Sequence, residues 1–292
     1  MSTRSGRETA RAVPLLLPSL VLLGVFVVYP LLRTAWLGGF VQDPFGGNRR
    51  WVGLDRYGDV LTSADFRNSL WVTVRFVVLT VPTSLGLGLF LAVLANQHLP
   101  GIRIFRTIFA STIATSIAVA SMMWIVLFEP TTGVLTHRIE EVGLEPIDVL
   151  GNPRTALIGV SLTTTWQNLG LVFVVTLAAM QSIPSVLYES ARVDGHGAIS
   201  RFVWITVPML GPQLLFLGIV LTIGSFQAFA QVDLLTEGGP RDSTNVIVYS
   251  IVQHLPLDQG LASVEATLLF LVIGLLGLVQ FRWLDRRVHY AD

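Results

Sequence analysis

Long apolar runs, each closed by charge or by Gly and Pro, set the rhythm of this chain. A helix that crosses a bilayer needs roughly 20 mostly apolar residues. Six stretches meet that requirement, at about 13–37, 70–95, 105–128, 156–180, 207–231 and 264–284. The pattern predicts an all-α membrane protein of six transmembrane helices, with one membrane domain over 13–284 and short tails at 1–12 and 285–292. Arg4, Arg7 and Arg11 precede the first run as they would in a signal peptide. That run is too long, however, and passes through Tyr29-Pro30-Leu31 with no small-residue cleavage site, so it reads as a permanent helix.

Composition supports the bilayer as the first partner. Of 292 residues, 52% are hydrophobic and 13% charged, about half the charge of a soluble domain. Cysteine is absent, which excludes disulfides, thiolate metal sites and a cysteine nucleophile, and the five histidines are too scattered to form a metal cluster. All 19 basic residues are arginine. Without lysine there is no Gly-x-x-x-x-Gly-Lys-Ser/Thr phosphate loop, so this chain is expected to bind no cofactor and to hydrolyse no ATP itself. No nucleic-acid partner is expected either.

Charge also suggests sidedness. With the N-terminus inside, the segments 1–12, 96–104, 181–206 and 285–292, with the adjoining span edges, carry ten arginines against five acids. The outer loops carry seven arginines against thirteen acids. The excess of basic residues favours cytoplasmic N- and C-termini. Arg33, Arg75 and Glu265 remain within or at the ends of apolar stretches. Charges at membrane depth are costly and often functional, but near helix ends they snorkel to the interface, which is the expectation for all three. Arg75, about two turns inside the second span, is also a candidate to face an anionic substrate.

The outer loop 38–69, with Trp51-Val52-Gly53-Leu54-Asp55-Arg56-Tyr57, is too short for a separate catalytic domain. The segment 129–155 places Glu140, Glu141, Glu145 and Asp148 around Gly143 and Pro146, and reads as a solvated acidic turn or a contact surface for an extracytoplasmic partner. The informative loop is the inner one, 181–206. Ser185 is a candidate N-cap for a short helix over Val186–Val193, which Asp194-Gly195 would stop. A second helical stretch, Ser200–Ile205, then runs into Pro208. Leu187, Ala191 and Val193 are expected to pack, with Glu189, Arg192 and Asp194 left exposed for a soluble partner.

The run Tyr188-Glu189-Ser190-Ala191-Arg192-Val193-Asp194-Gly195, followed by Phe202, Ile205-Thr206 and Val207-Pro208, resembles the cytoplasmic coupling loop of ATP-binding-cassette importer permeases. In that loop Glu-Ala-Ala precedes a glycine and an Ile/Leu-Pro pair at fixed spacing; Ser190 here replaces an alanine. Leu234-Leu235-Thr236-Glu237-Gly238-Gly239-Pro240 and Thr244 are similar to an outer loop of the carbohydrate-type (maltose/glycerol-3-phosphate) family. The ending Leu278–Tyr290 is similar to the tail of glycerol-3-phosphate permeases of that family. The resemblance implies the type I importer permease fold, a second related permease, two cytoplasmic ATPase subunits that bind ATP and Mg, and an extracytoplasmic solute-binding protein. It assigns Glu189, Ser190, Ala191, Asp194, Gly195, Ile205 and Pro208 to ATPase coupling.

Polar residues interrupt the later spans at Thr163-Thr164-Thr165-Trp166-Gln167-Asn168 and at Ser225, Gln227 and Gln231. They read either as a polyol path or as helix-to-helix hydrogen bonding, which uses the same residue types in bilayers. By resemblance to maltose-type relatives, sugar-contacting positions fall at Thr165, Trp166, Asn168, Leu171, Leu221, Ser225 and Ala228. Leu171, Leu221 and Ala228 are apolar here, which favours a smaller ligand. The path candidates are therefore Trp166, Asn168, Ser225, Gln227, Thr165 and Arg75, and the expected cargo is glycerol-3-phosphate or a glycerophosphodiester, with a sugar as the alternative. A membrane-embedded enzyme would need paired ionisable groups in the spans, and a secondary transporter would need intramembrane carboxylates and inverted repeats. Neither is visible, since Glu265 has no evident partner in the sequence.

Overall fold

The computed structural model describes residues 16–41, 50–97, 99–141 and 148–284. The N-terminal arginines, the tail from 285 on, and Gly143, Glu145 and Pro146 lie outside the described residues. The helices, in chain order, are α1 (Leu16–Leu37), α2 (Asp55–Thr62), α3 (Ala64–Ala95), α4 (Ile102–Ser111), α5 (Ile117–Phe128), α6 (Val134–Glu141) and α7 (Ala156–Gln181). They continue as α8 (Ser185–Val193), α9 (Ala198–Met209), α10 (Gly211–Phe226), α11 (Ala230–Leu235), α12 (Ile247–His254) and α13 (Gln259–Leu284). Two short antiparallel strands, β1 (Phe40–Val41) and β2 (Arg50–Trp51), pair Phe40 with Trp51.

Four helices, α1, α3, α7 and α13, are long and apolar enough to cross a bilayer, and two bent pairs, α4 with α5 and α9 with α10, raise the number to six. The bends have local causes. Between α4 and α5 the axis turns by 108° at Ser116, which adopts an extended conformation and caps α5 by accepting a hydrogen bond from the Val119 N–H at 3.3 Å. Between α9 and α10 it turns by 65°. There Pro212, in the first turn of α10, brings no N–H to bond back to the Pro208 carbonyl, and the turn Phe202–Thr206 leading up to the break has widened to a π-helix. The stretch read from sequence as one span at 207–231 stops at Phe226, and α11 follows as a separate short helix.

The chain divides into two compact units, one reaching Phe66 and including Ile251–Leu271, the other comprising Arg67–Ser250 and the residues from Val272 on. In the second unit α7 is the central element. It packs against α4, α5, α10 and α11 and buries fourteen residues, among them Leu157, Val160, Val172, Phe173 and Leu177. Gly170 lets the turn at Thr112–Ala114 come close, since a Cβ there would lie 2.6 Å from the Ile113 backbone nitrogen. Small residues bring helix backbones together in bilayers in this way. The three adjacent threonines of α7 divide their labour: Thr163 and Thr164 donate back to the carbonyls of Gly159 and Val160 at 3.1 and 2.9 Å, while Thr165 reaches across to Thr83 of α3 at 3.1 Å.

In the first unit α1 buries nothing, with Leu20, Phe26 and Leu32 exposed. A helix that is apolar on every side and uncovered by its own chain belongs against lipid or another membrane helix. Trp36, Phe40 and Trp51 form an aromatic cluster with centroids 4.6 to 5.9 Å apart.

Candidate coupling elbow and substrate path

The loop between α7 and α9 folds into a helical elbow. Pro184, not Ser185, takes the N-cap position of α8, because its ring-fixed φ of −58° with ψ of 129° already supplies the non-helical entry, and Ser185 begins the helix. At the other end Gly195 has φ of +82°, a left-handed conformation that glycine adopts without a Cβ clash. The His196 N–H donates to the Ala191 carbonyl at 2.8 Å, and the Gly195 N–H to the Arg192 carbonyl at 3.1 Å. These two bonds are the Schellman closure that satisfies a helix end. His196 Nδ1 and Ser200 Oγ, 2.8 Å apart, then tie the corner to the start of α9.

The inward face of α8 differs from the sequence expectation. Ala191 is buried and Tyr188 half-buried, while Leu187 and Val193 are exposed, Val193 at 88%. Positions 188 and 191 are one helical turn apart and so share a face. Tyr188 packs on the cluster of Phe173, Leu177, Met180, Ile183 and Leu210, and its hydroxyl lies 3.0 Å from that of buried Thr206. Tyr188 and Thr206 are thus the residues that anchor the elbow, a role hidden inside a motif in which they were only quoted. Glu189, Ser190, Arg192 and Asp194 project outward, Ile205 is half-buried, and Pro208 is exposed. The result is a carboxylate-bearing knob held by an aromatic anchor and a glycine corner.

The path candidates are less concentrated. Thr165 is buried in its bond to Thr83, and Trp166 is half-buried with its ring edge-on to Trp124 at 6.3 Å. Asn168 is half-buried and Gln227 exposed. Ser225 Oγ and Gln167 Oε1 are buried without a hydrogen-bond partner among the described residues, a costly condition for a polar atom unless something else satisfies it. Leu171 and Leu221 pack with Val81, Val172 and Leu217 in one apolar cluster, and Ala228 belongs to another. Arg75 lies eleven residues into α3 and is exposed. The Glu237–Pro240 loop is held by the Thr244 hydroxyl, which donates to the Gly239 carbonyl at 2.7 Å and lies 2.7 Å from that of Thr236. Gly238 is required there, since a Cβ would come within 2.6 Å of the Tyr249 ring.

A second polar constellation in the first unit escaped the sequence reading. The Arg56 guanidinium is buried and donates to the Phe40 carbonyl and to the Asp258 carboxylate. The other oxygen of Asp258 caps α13 by accepting from the Leu261 N–H at 3.0 Å. Glu265 does not snorkel: it is 2% exposed and lies 3.0 Å from His254 Nδ1. This bond raises the His254 pKa above the usual 6.5, against the opposing effect of burial; Glu265, Asp258 and Asp65 add their charge. The signal in the sequence was faint, because the partners of Arg56 and Glu265 lie across loops.

Residues 66–290 match the family described as the binding-protein-dependent transport system inner membrane component. The chain is 32% identical over 279 residues to the sn-glycerol-3-phosphate transport system permease protein UgpA of Yersinia pestis bv. Antiqua (strain Antiqua), covering 94% of each sequence. It is also 32% identical over 286 residues to the protein of that name from Escherichia coli O157:H7, covering 96% of this chain and 97% of that one. Its fold superposes on a chain of a bacterial ABC transporter involved in the import of the acidic polysaccharide alginate, with a TM-score of 0.80 at 21% identity over 97% of this chain and 98% of that one. A second structure, the alginate transporter in complex with alginate pentasaccharide-bound periplasmic protein, gives 0.79, again at 21% identity, over 97% and 95%. The chain therefore belongs to the family of binding-protein-dependent transport system inner membrane components, and is a multi-pass inner-membrane permease of an ATP-binding-cassette importer.

Proposed function

We propose that this chain forms, with a second related permease, the translocation path for glycerol-3-phosphate or a glycerophosphodiester delivered by a solute-binding protein. In this reading two cytoplasmic subunits bind ATP and Mg and supply the energy, and this chain itself binds no cofactor and catalyses nothing. Both termini are cytoplasmic, and the six spans are α1, α3, α7, α13 and the bent pairs α4–α5 and α9–α10. The observation that carries the coupling role is the elbow, whose exposed Glu189 sits on a helix fixed by Tyr188–Thr206 and by the turn at Gly195. Glu189 would meet the ATPase through charge-assisted hydrogen bonds, with Ser190, Ala191, Asp194, Gly195, Ile205 and Pro208 giving the contact its shape. Closure of the ATPase pair would then move the elbow as a rigid body and switch the helices between two packed states.

The cargo reading is supported by the 32% identity to sn-glycerol-3-phosphate permeases and by the apolar packing of Leu171 and Leu221, where an oligosaccharide would need hydrogen-bonding groups. Trp166, Asn168, Ser225 and Gln227, with Thr165 at their edge, are the candidates to contact the glycerol moiety. Arg75 is the candidate to meet the phosphate. The test is uptake of labelled sn-glycerol-3-phosphate, glycerophosphocholine and a disaccharide in cells with and without the gene. Loss of a phosphate-containing cargo alone is the expected result; loss of disaccharide uptake alone would overturn the cargo assignment and leave the coupling role standing. Because the chain has no cysteine, Ser200→Cys gives a single thiol whose labelling by an impermeant maleimide from the cytoplasmic side alone is expected. Labelling from the outer side would reverse the topology.

A further inference from the structure

Where α3 ends and α4 begins, two cavities share a wall. One, of about 550 Å³, is lined by Asn96, Gln97, Arg103, Arg106 and Gln181, with Leu99 and Ile102 at its edge. The other, of about 280 Å³, shares Gln97, Leu99 and Ile102 and continues along Leu94, Pro100 and Phe105. Arg106 is partly committed, since its Nε and Nη2 donate to the Ala95 carbonyl at 3.1 and 2.8 Å and close the end of α3. Arg103 is exposed. No acidic side chain lines either cavity among the described residues, so the positive charge is unopposed locally, and three amide side chains offer further hydrogen bonds.

We infer that this double cavity binds the phosphodiester headgroup of an anionic phospholipid of the cytoplasmic leaflet, with the start of an acyl chain along Leu94, Leu99 and Phe105. Guanidinium groups recognise phosphate oxygens through paired donors, and basic pockets between membrane helices on the cytoplasmic side take such headgroups. A free phosphate would use the arginines alone; the adjoining apolar cavity is what selects an amphiphile. Gln181 lies four residues before α8, so an occupied cavity would brace α7 directly ahead of the elbow. The cytoplasmic placement rests on the topology proposed above, whereas lipid binding itself does not depend on cargo.

The test is lipid retention by the full-length chain in nanodiscs of phosphatidylcholine containing one-fifth phosphatidylglycerol, read by mass spectrometry of co-purified lipid. Enrichment of phosphatidylglycerol is expected, with a fall of about fivefold in Arg103→Gln, a substitution of an exposed side chain that spares the Arg106–Ala95 closure. Arg106→Lys, which keeps the charge, is expected to keep most of the enrichment. Equal retention of the two lipids, or enrichment that Arg103→Gln leaves untouched, would overturn the proposal. Displacement by millimolar inorganic phosphate or sn-glycerol-3-phosphate as effective as by short-chain phosphatidylglycerol would show a soluble anion site and overturn the lipid assignment. A failed uptake assay with intact lipid retention would fault the cargo reading alone.

Discussion

The elbow around α8 and the charged cluster around Arg56 are both polar arrangements in a mostly apolar chain, yet they are built in opposite ways. Every bond that shapes the elbow spans 18 residues or fewer: Gly195 to Arg192, His196 to Ala191 and Ser200, Tyr188 to Thr206. Arg56 instead finds Asp258 across 202 residues. The elbow leaves its charges in solvent, while the cluster buries them, with Arg56 at 8% and Glu265 at 2% exposure. Exposed charge on a locally fixed corner is available to another protein. Buried charge, by contrast, holds its own chain together, because removing one partner leaves the other uncompensated. One arrangement is a handle and the other a clasp.

The difference breaks most sharply at Arg56. Arg56→Ala is expected to destabilise this clasp by about 3 kcal/mol, the low end for a buried pair because Asp258 is about one-third exposed, read as a lowered midpoint of thermal unfolding in detergent. An unchanged midpoint would mean that the ion pair holds nothing. Glu189→Ala should do the reverse, leaving the unfolding midpoint in place while uptake falls by about 10- to 100-fold as ATP hydrolysis uncouples from transport. Normal substrate-stimulated hydrolysis and uptake in that variant would remove Glu189 from coupling. Gly195→Ala lies between the two. The left-handed φ costs a Cβ-bearing residue about 1–2 kcal/mol, so a modest stability loss is expected together with weakened ATPase association, measured by co-purification.

Tyr188→Phe removes only the hydroxyl bond to Thr206, and about 1 kcal/mol of stability is expected to go with it. The smallest effect concerns pH. The folded state holds His254 at a raised pKa through Glu265, so the pairing contributes fully below the unfolded value of 6.5 and is lost as pH rises through the higher folded value. The unfolding midpoint is therefore expected to drift down as pH rises above about 6.5, and Glu265→Gln should flatten that drift. A drift of the opposite sign would mean that burial of His254 outweighs its bond.

Much of the elbow was legible because its causes are local. Glycine after Asp194 announces a helix stop, and Glu189 and Arg192 are charged positions on a short helix, where exposure is the default. Even so, the face of α8 that turns inward was misjudged at Leu187 and Val193, because a nine-residue helix has apolar residues on more than one side and only the position of Thr206 and the Phe173 cluster decides which side is covered. Ser185 lost the cap to Pro184 for an equally local reason, the extended ψ of 129° at Pro184, which makes it the last non-helical residue. The path candidates were read from polarity, and the structure splits them: Thr165 serves helix packing through Thr83, while Ser225 keeps a buried hydroxyl unmatched among the described residues, as does the neighbouring Gln167 with its side-chain oxygen, which was not among the candidates.

By itself the sequence determined the all-α class, the apolar segments long enough for a bilayer, the glycine corner and the charged residues exposed upon it, because helix length, hydropathy and turn chemistry act over a few residues. Only the tertiary structure decided that Glu265 is paired with His254 instead of snorkelling, that Arg56 clasps Asp258, that two of the apolar stretches are bent by 108° and 65°, and that Arg103 and Arg106 share a cavity with Gln181. Those outcomes depend on which distant segments meet, and in a bilayer, where one apolar face is as good as another, the meeting is set by close packing at small residues and by the few polar groups that must find each other.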